Sequence, residues 1–158
     1  MTTIVALSDS HCAGISALPL QLRQALAAAD IIVHAGDHTE RAVLDELKTL
    51  GEVVAVAGNM DGTALKVLLP IRQLFSAGTA SVGVVHGSGA PRGIAERVRA
   101  VFPENPDLIV FGHSHVQFDG MLGGTRMVNP GPAAAGYAVI TIDRGIDVEL
   151  VRLQAATA

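Results

Sequence analysis

A chain of 158 residues that is 49% hydrophobic and 16% charged can bury a core, and it is too apolar to be disordered. A formal net charge of −4 supplies no long-range pull on nucleic acid or anionic membrane, so neither a long nucleic acid nor a membrane is an expected partner. The lone cysteine, Cys12, excludes an internal disulfide, and with no run of about 20 apolar residues and no leader-like start, the expectation is one cytoplasmic domain over residues 1–158.

Residues 3–7 are apolar and β-prone, and Ser8-Asp9-Ser10 ends the run. Leu18, Leu22, Ala25 and Leu26 fall at helical spacing and predict a helix over 18–29. Residues 31–33 read as a second buried strand that stops at Gly36-Asp37. Residues 39–50 read as a helix with Thr39 as N-cap, an apolar face of Ala42, Val43, Leu47 and Leu50, and Gly51 as its stop. Residues 53–56 form a third strand ending at Gly58-Asn59. This β-α-β-α-β opening favours parallel strands. Residues 71–76 and 79–85 then read as a hairpin about Ala77-Gly78. A short helix over 93–101 is stopped by Pro103, and 108–111 is another strand. Residues 116–118, 126–128, 137–142 and 147–153 look like antiparallel strands, with turns at Gly123-Gly124 and Asp143-Arg144-Gly145. The expected class is α/β: a four-layer α-β-β-α sandwich of two mixed sheets flanked by helices.

Polar chemistry collects where these strands end. Asp9 and His11 are two residues apart, a spacing that puts both side chains on one side of an extended strand. Asp37 follows Gly36, whose missing side chain permits close approach at a crowded point, and a carboxylate there can bridge two cations. Asn59 offers an amide oxygen, an ordinary ligand for harder divalent ions. Asp61 stands close enough in sequence to orient a neighbouring histidine. His86-Gly87 and Gly112-His113-Ser114-His115 add three imidazoles, the last two at alternating positions that could serve one ion each. Each motif alone has a plainer explanation as a turn, a cap or a core histidine. Their succession after one strand end after another is what singles them out, because strand ends converge at one edge of an α/β sheet. His, Asp and Asn together suit borderline and hard divalent metals.

In this order, Asp9-Ser10-His11, Gly36-Asp37, Gly58-Asn59, His86-Gly87 and Gly112-His113-Ser114-His115 make residues 4–132 resemble the calcineurin-like metallophosphoesterase superfamily. The short length resembles its small phosphodiesterase branch in bacteria and archaea. That branch in turn resembles a eukaryotic retromer subunit that works mainly as a scaffold. The resemblance implies two divalent ions, usually Mn²⁺ with Fe, Zn or Ni as substitutes. Asp9, His11 and His115 would hold the first ion, Asn59, His86 and His113 the second, and Asp37 would bridge them. It implies hydrolysis of a small phosphodiester by in-line attack of a metal-bridging hydroxide, with Asp37, Asn59 and His113 at the catalytic centre. Asn59 and Arg92 would contact substrate, and Asp61 and His38 would stand behind the ligands. A scaffold with an idle metal site and a phosphomonoesterase are the competing expectations, and a homo-oligomer through an exposed edge or helix face is open.

Two positions depart from the superfamily pattern. Met60 stands where a histidine usually follows the Gly-Asn pair, and a thioether cannot protonate a leaving group. Ser88 stands where small relatives often carry another histidine, which bears on substrate contacts rather than on metal binding. Of the remaining candidates, His34 reads as a satisfied core histidine and Cys12 as a small buried hydrophobe. Asn129-Pro130-Gly131-Pro132 reads as a stiff turn able to wall a pocket.

Overall fold

The computed structural model describes residues 1–154. Its first half alternates strand and helix: β1 (Thr2–Leu7), α1 (Leu20–Ala28), β2 (Ile31–His34), α2 (Arg41–Leu50) and β3 (Glu52–Ala55). Then come α3 (Thr63–Leu68), β4 (Arg72–Ala77), β5 (Ala80–Val85), α4 (Ile94–Ala100), β6 (Leu108–Val110), β7 (Phe118–Leu122), β8 (Thr125–Asn129), β9 (Gly136–Ile142) and β10 (Ile146–Arg152). Among the described residues the strands form two five-stranded sheets, ordered β10-β9-β1-β2-β3 and β4-β5-β6-β8-β7. Both are mixed. In the first, β1, β2 and β3 are parallel, while β9 and β10 join antiparallel. In the second, β5, β6 and β8 are parallel, with β4 and β7 antiparallel at the edges.

The period-2 pattern of each strand divides the core into layers. From β1, Ile4 and Ala6 face the second sheet and join Val82, Val84, Leu108, Val110 and Ile140 in the central layer. Val5 and Leu7 face the other way and pack on Leu22, Leu26, Val43 and Leu47 of α1 and α2. On the far side Ile109 and Met127 pack under Ile94, Val98 and Phe102. The result is the expected sandwich of two mixed sheets between helices. No helix among the described residues is long and apolar enough to cross a membrane.

Several local expectations need correction. The first helix begins at Leu20, with Pro19 at its cap, because a residue preceding proline is disfavoured in helical conformation; Leu18 is extended yet buried. Thr39 does not cap α2. It adopts φ +66°, its N–H donates to Asp61 Oδ1 at 2.8 Å, and the helix starts at Arg41 after an uncapped Glu40. Ala42 is exposed and Leu44 is buried instead, because α3, which the sequence did not announce, brings Leu65 against Leu44 and Ala55. Strand β7 runs over Phe118–Leu122 rather than 116–118, since the tight Gly123-Gly124 turn sets the pairing of Leu122 with Thr125. Strand β8 is antiparallel to β7 but parallel to β6.

Candidate metal centre

The seven candidate ligands all lie in the loops that leave parallel strands: Asp9 and His11 after β1, Asp37 after β2, Asn59 after β3, His86 after β5, His113 and His115 after β6. The sandwich brings these ends together, and one chain of contacts links all seven. His115 Nε2 lies 3.3 Å from Asp9 Oδ1, and that oxygen lies 3.8 Å from His86 Nε2. His86 Nε2 lies 3.3 Å from Asp37 Oδ2, which lies 3.8 Å from His11 Nε2. Asn59 Oδ1 lies 3.0 Å from His86 Nε2 and 3.2 Å from His113 Nδ1. Two triads, Asp9-His11-His115 and Asp9-Asp37-His86, each present ligand atoms within 4.8 Å of one another.

The surrounding bonds fix how these groups point. Ala35 carbonyl accepts from His86 Nδ1 at 2.7 Å, and Gly89 carbonyl accepts from His113 Nε2 at 3.0 Å. Each imidazole thereby carries its proton away from the centre and turns a lone pair toward Asn59 Oδ1. Asp37 Oδ1 accepts from Met60 N–H at 2.8 Å, leaving Oδ2 for the centre. Asp9 Oδ2 accepts from Ser8 Oγ at 2.8 Å and His113 N–H at 3.2 Å. Asp9 Oδ1 is buried with no hydrogen-bond partner. An orphaned carboxylate oxygen and converging lone pairs are unfavourable unless a cation satisfies them, so the residues present fit a divalent ion.

Burial works to raise the Asp37 carboxyl, but the His86 hydrogen bond, the Met60 N–H and the His86 and His11 charges outweigh it and depress it. Burial also works to lower His86, but its hydrogen bond and charge pairing with Asp37 outweigh that and raise it. Crowding has a steric side too. A Cβ on Gly58 would overlap the Asp37 carboxylate and backbone nitrogen, and one on Gly112 would overlap the Ser8 hydroxyl. These two glycines allow the loops to close on the carboxylates.

The supporting residues differ from expectation in detail. Asp61 is buried but orients no histidine; its carboxylate accepts backbone N–H groups of Asp37 at 3.1 Å, Thr39 at 2.8 Å and Gly58 at 2.8 Å. His38 is fully buried, with Nε2 donating to Val56 carbonyl at 3.2 Å and its ring stacked 3.6 Å from that of His34. His34 is satisfied at both nitrogens, accepting from Gly36 N–H at 3.1 Å and donating to Ser10 Oγ at 2.9 Å. Burial holds both histidines below their ordinary range, His34 well below it. Cys12 is half-buried, and burial raises its thiol.

Arg92 is exposed on the 88–93 loop, where it lines a groove beside Ser114, Phe111 and Phe118, and it is not brought into the ligand cluster. Asn129 ties loops, donating to Gly112 carbonyl at 3.1 Å and Ser114 Oγ at 3.0 Å, while Pro132 of the same turn lines a groove beside His115. Sequence reasoning missed Arg97, which holds the 88–93 loop. Its guanidinium donates to Ser88 carbonyl at 3.0 and 2.9 Å, to Arg92 carbonyl at 3.0 Å and to Ala90 carbonyl.

Comparison with known proteins adds an independent line. The model of the calcineurin-like phosphoesterase superfamily domain matches residues 2–145. A probable metallophosphoesterase of Methanothermobacter thermautotrophicus is 32% identical, the match covering 94% of this chain and 91% of the relative. A Thermotoga maritima protein solved by NMR is 32% identical with a TM-score of 0.77, covering 97% of this chain and 100% of that one. At lower identity the fold recurs in wild-type Vps29 of Entamoeba histolytica complexed with Zn²⁺ (20%, TM-score 0.73, 95% of this chain and 98% of that one). It recurs also in a novel archaeal phosphodiesterase (18%, TM-score 0.73, 96% and 99%).

Proposed function

This chain belongs to the calcineurin-like phosphoesterase superfamily, and we propose that it is a dinuclear metal-dependent phosphodiesterase acting on a small phosphodiester in the cytoplasm. The observation that carries the proposal is the unbroken chain of contacts through all seven candidate ligands, centred on the partnerless Asp9 Oδ1. Asp9, His11 and His115 would hold one ion, Asn59, His86 and His113 the other, and Asp37 both. Imidazole, carboxylate and amide donors with no thiolate suit Mn²⁺, with Fe, Zn or Ni as substitutes. When bound, such a pair offsets the charge of a phosphate and makes a water acidic near neutral pH.

The chain's own residues then set the chemistry. Ala35 and Gly89 carbonyls hold His86 and His113 in the tautomers that ligation needs. Met60 N–H holds one Asp37 oxygen and leaves the other to the centre, while Asn59 presents its amide oxygen to both second-site imidazoles. The Met60 side chain is 61% exposed at the site and has no proton to give, so the enzyme depends on leaving groups that depart as stable anions. That favours phenolic esters and counts against alkyl monoesters.

A scaffold of the Vps29 kind is the competing reading, and exposed apolar residues on and after α3, Val67 and Ile71, favour it. Hydrolysis of bis-p-nitrophenyl phosphate by metal-stripped protein with Mn²⁺ restored separates the two. We expect turnover that both Asn59→Ala and His86→Ala abolish. Two ions bound without turnover on Mn²⁺, Ni²⁺, Zn²⁺ or Fe²⁺ would favour the scaffold.

A further inference from the structure

Asn59 and His86 have a second environment. Both line a groove of about 490 Å³, a volume in the range that holds small organic groups. Its other walls include the side chains of Ile71, Val85 and Val101, and Lys66 is the one charged residue on it. Lys66 Nζ donates to the Asn59 carbonyl at 3.2 Å, so a positive charge is tied to the same loop that supplies a candidate ligand. Ile71 is 79% exposed and Val101 40% exposed, so apolar surface lies open to water directly beside the polar centre.

We propose that this groove receives a ring-sized apolar ester arm, such as an aryl group, of the phosphodiester whose phosphorus lies at the metal centre. The inference rests on the proposed phosphodiesterase activity. Because Asn59 and His86 border both, the groove adjoins the centre, and a substituent on a phosphate held there has apolar walls within reach. Burying such a ring against Ile71, Val85 and Val101 removes apolar surface of both partners from water. The Lys66 ammonium draws an anionic diester toward the same edge. Met60 points the same way independently: a site without a proton donor works best on phenolic arms, and an apolar-walled groove has room for such an arm.

The test compares diphenyl phosphate with dimethyl phosphate on Zn²⁺-loaded protein, reading affinity and the methyl NMR signals of Ile71, Val85 and Val101. Diphenyl phosphate should bind about ten-fold more tightly or better and should move those methyl signals, whereas dimethyl phosphate should not. Ile71→Ser and Val101→Ser are neutral changes at exposed positions. Each should weaken diphenyl phosphate about five-fold and leave dimethyl phosphate unaffected. Phenol added to metal-free protein should shift the same methyl signals. Equal affinities, or diphenyl affinity unchanged in both variants, would overturn the proposal. Turnover of bis-p-nitrophenyl phosphate by the same protein loaded in turn with Mn²⁺, Ni²⁺, Zn²⁺ and Fe²⁺ separates the two readings. Turnover with no methyl shift rejects the groove and keeps the diesterase; methyl shifts with no turnover uphold a ring-binding groove and reject the diesterase.

Discussion

Among the described residues, seven non-glycine residues have positive φ, and five of them are Asp9, His11, Asp37, His113 and His115. Backbone of this kind costs about 1–3 kcal/mol per residue and persists where the surroundings over-determine it. For Asp9, Asp37 and His113 the surroundings include hydrogen bonds that fix the direction of the side chain. The candidate ligands were legible in the sequence because metal chemistry restricts such donors to a few residue types and because they follow strand ends. Asp61 and His38 were legible as residues behind the candidate ligands, but the backbone groups they bind, and Arg97 altogether, were not, since only the fold supplies those positions. Two expectations belong at this scale. Met60→His should raise kcat/KM on an alkyl leaving group by about 10²-fold, and far less on p-nitrophenyl esters; no gain on the alkyl ester would remove the explanation offered for Met60. His34 concerns stability. Its folded pKa lies well below the ordinary 6.5, so the unfolded chain binds a proton that the folded one refuses. Its stabilisation is present above pH 6.5 and is lost as pH falls beneath that, by up to about 1.4 kcal/mol per pH unit. His38 acts with the same sign and His86 with the opposite one. Urea unfolding of His34→Gln, which keeps a donor toward Ser10 but does not titrate, should therefore show a shallower loss between pH 7.5 and 5.5 than the parent. An identical slope in both proteins would contradict the assignment.

At the scale of elements, most strands and the short helix α4 were legible, whereas α3 and the extent of β7 were not. Strands β1, β2, β3, β5 and β6 carry near-continuous apolar runs because both faces are covered, and such runs are visible without a fold. Helix α3 is six residues long with one buried side chain, Leu65, too little periodicity to detect. The parallel partnership of β8 with β6 was hidden for another reason, since nothing in a strand's own residues states which neighbour lies beyond its hairpin. Two loops are joined by one side chain: Asp61 links the loop after β2 to the loop after β3 through the amides of Asp37, Thr39 and Gly58. Asp61→Ala would leave three buried or half-buried donors unsatisfied, which costs about 3 kcal/mol or more. Denaturant unfolding should register that loss, and metal titration should show weaker binding although Asp61 is no ligand. Unchanged metal affinity in a folded variant would reduce Asp61 to a purely structural residue.

At the scale of the molecule, the sandwich converts sequence distance into proximity. Residues from Asp9 to His115 meet because both sheets turn their parallel strand ends toward one edge. The same convergence gathers two carboxylates and four imidazoles in one small volume, which is costly in the absence of a cation. Metal binding and fold stability are therefore linked, because an ion that binds only the folded chain shifts folding by mass action. The central claim is a two-ion centre bridged by Asp37, and Mn²⁺ titration followed by electron paramagnetic resonance examines it most directly. Two Mn²⁺ per chain with the signature of an exchange-coupled pair is the expected result, with the coupling lost in Asp37→Ala. A single ion per chain, or two ions that remain magnetically independent in the parent protein, would contradict the bridged centre.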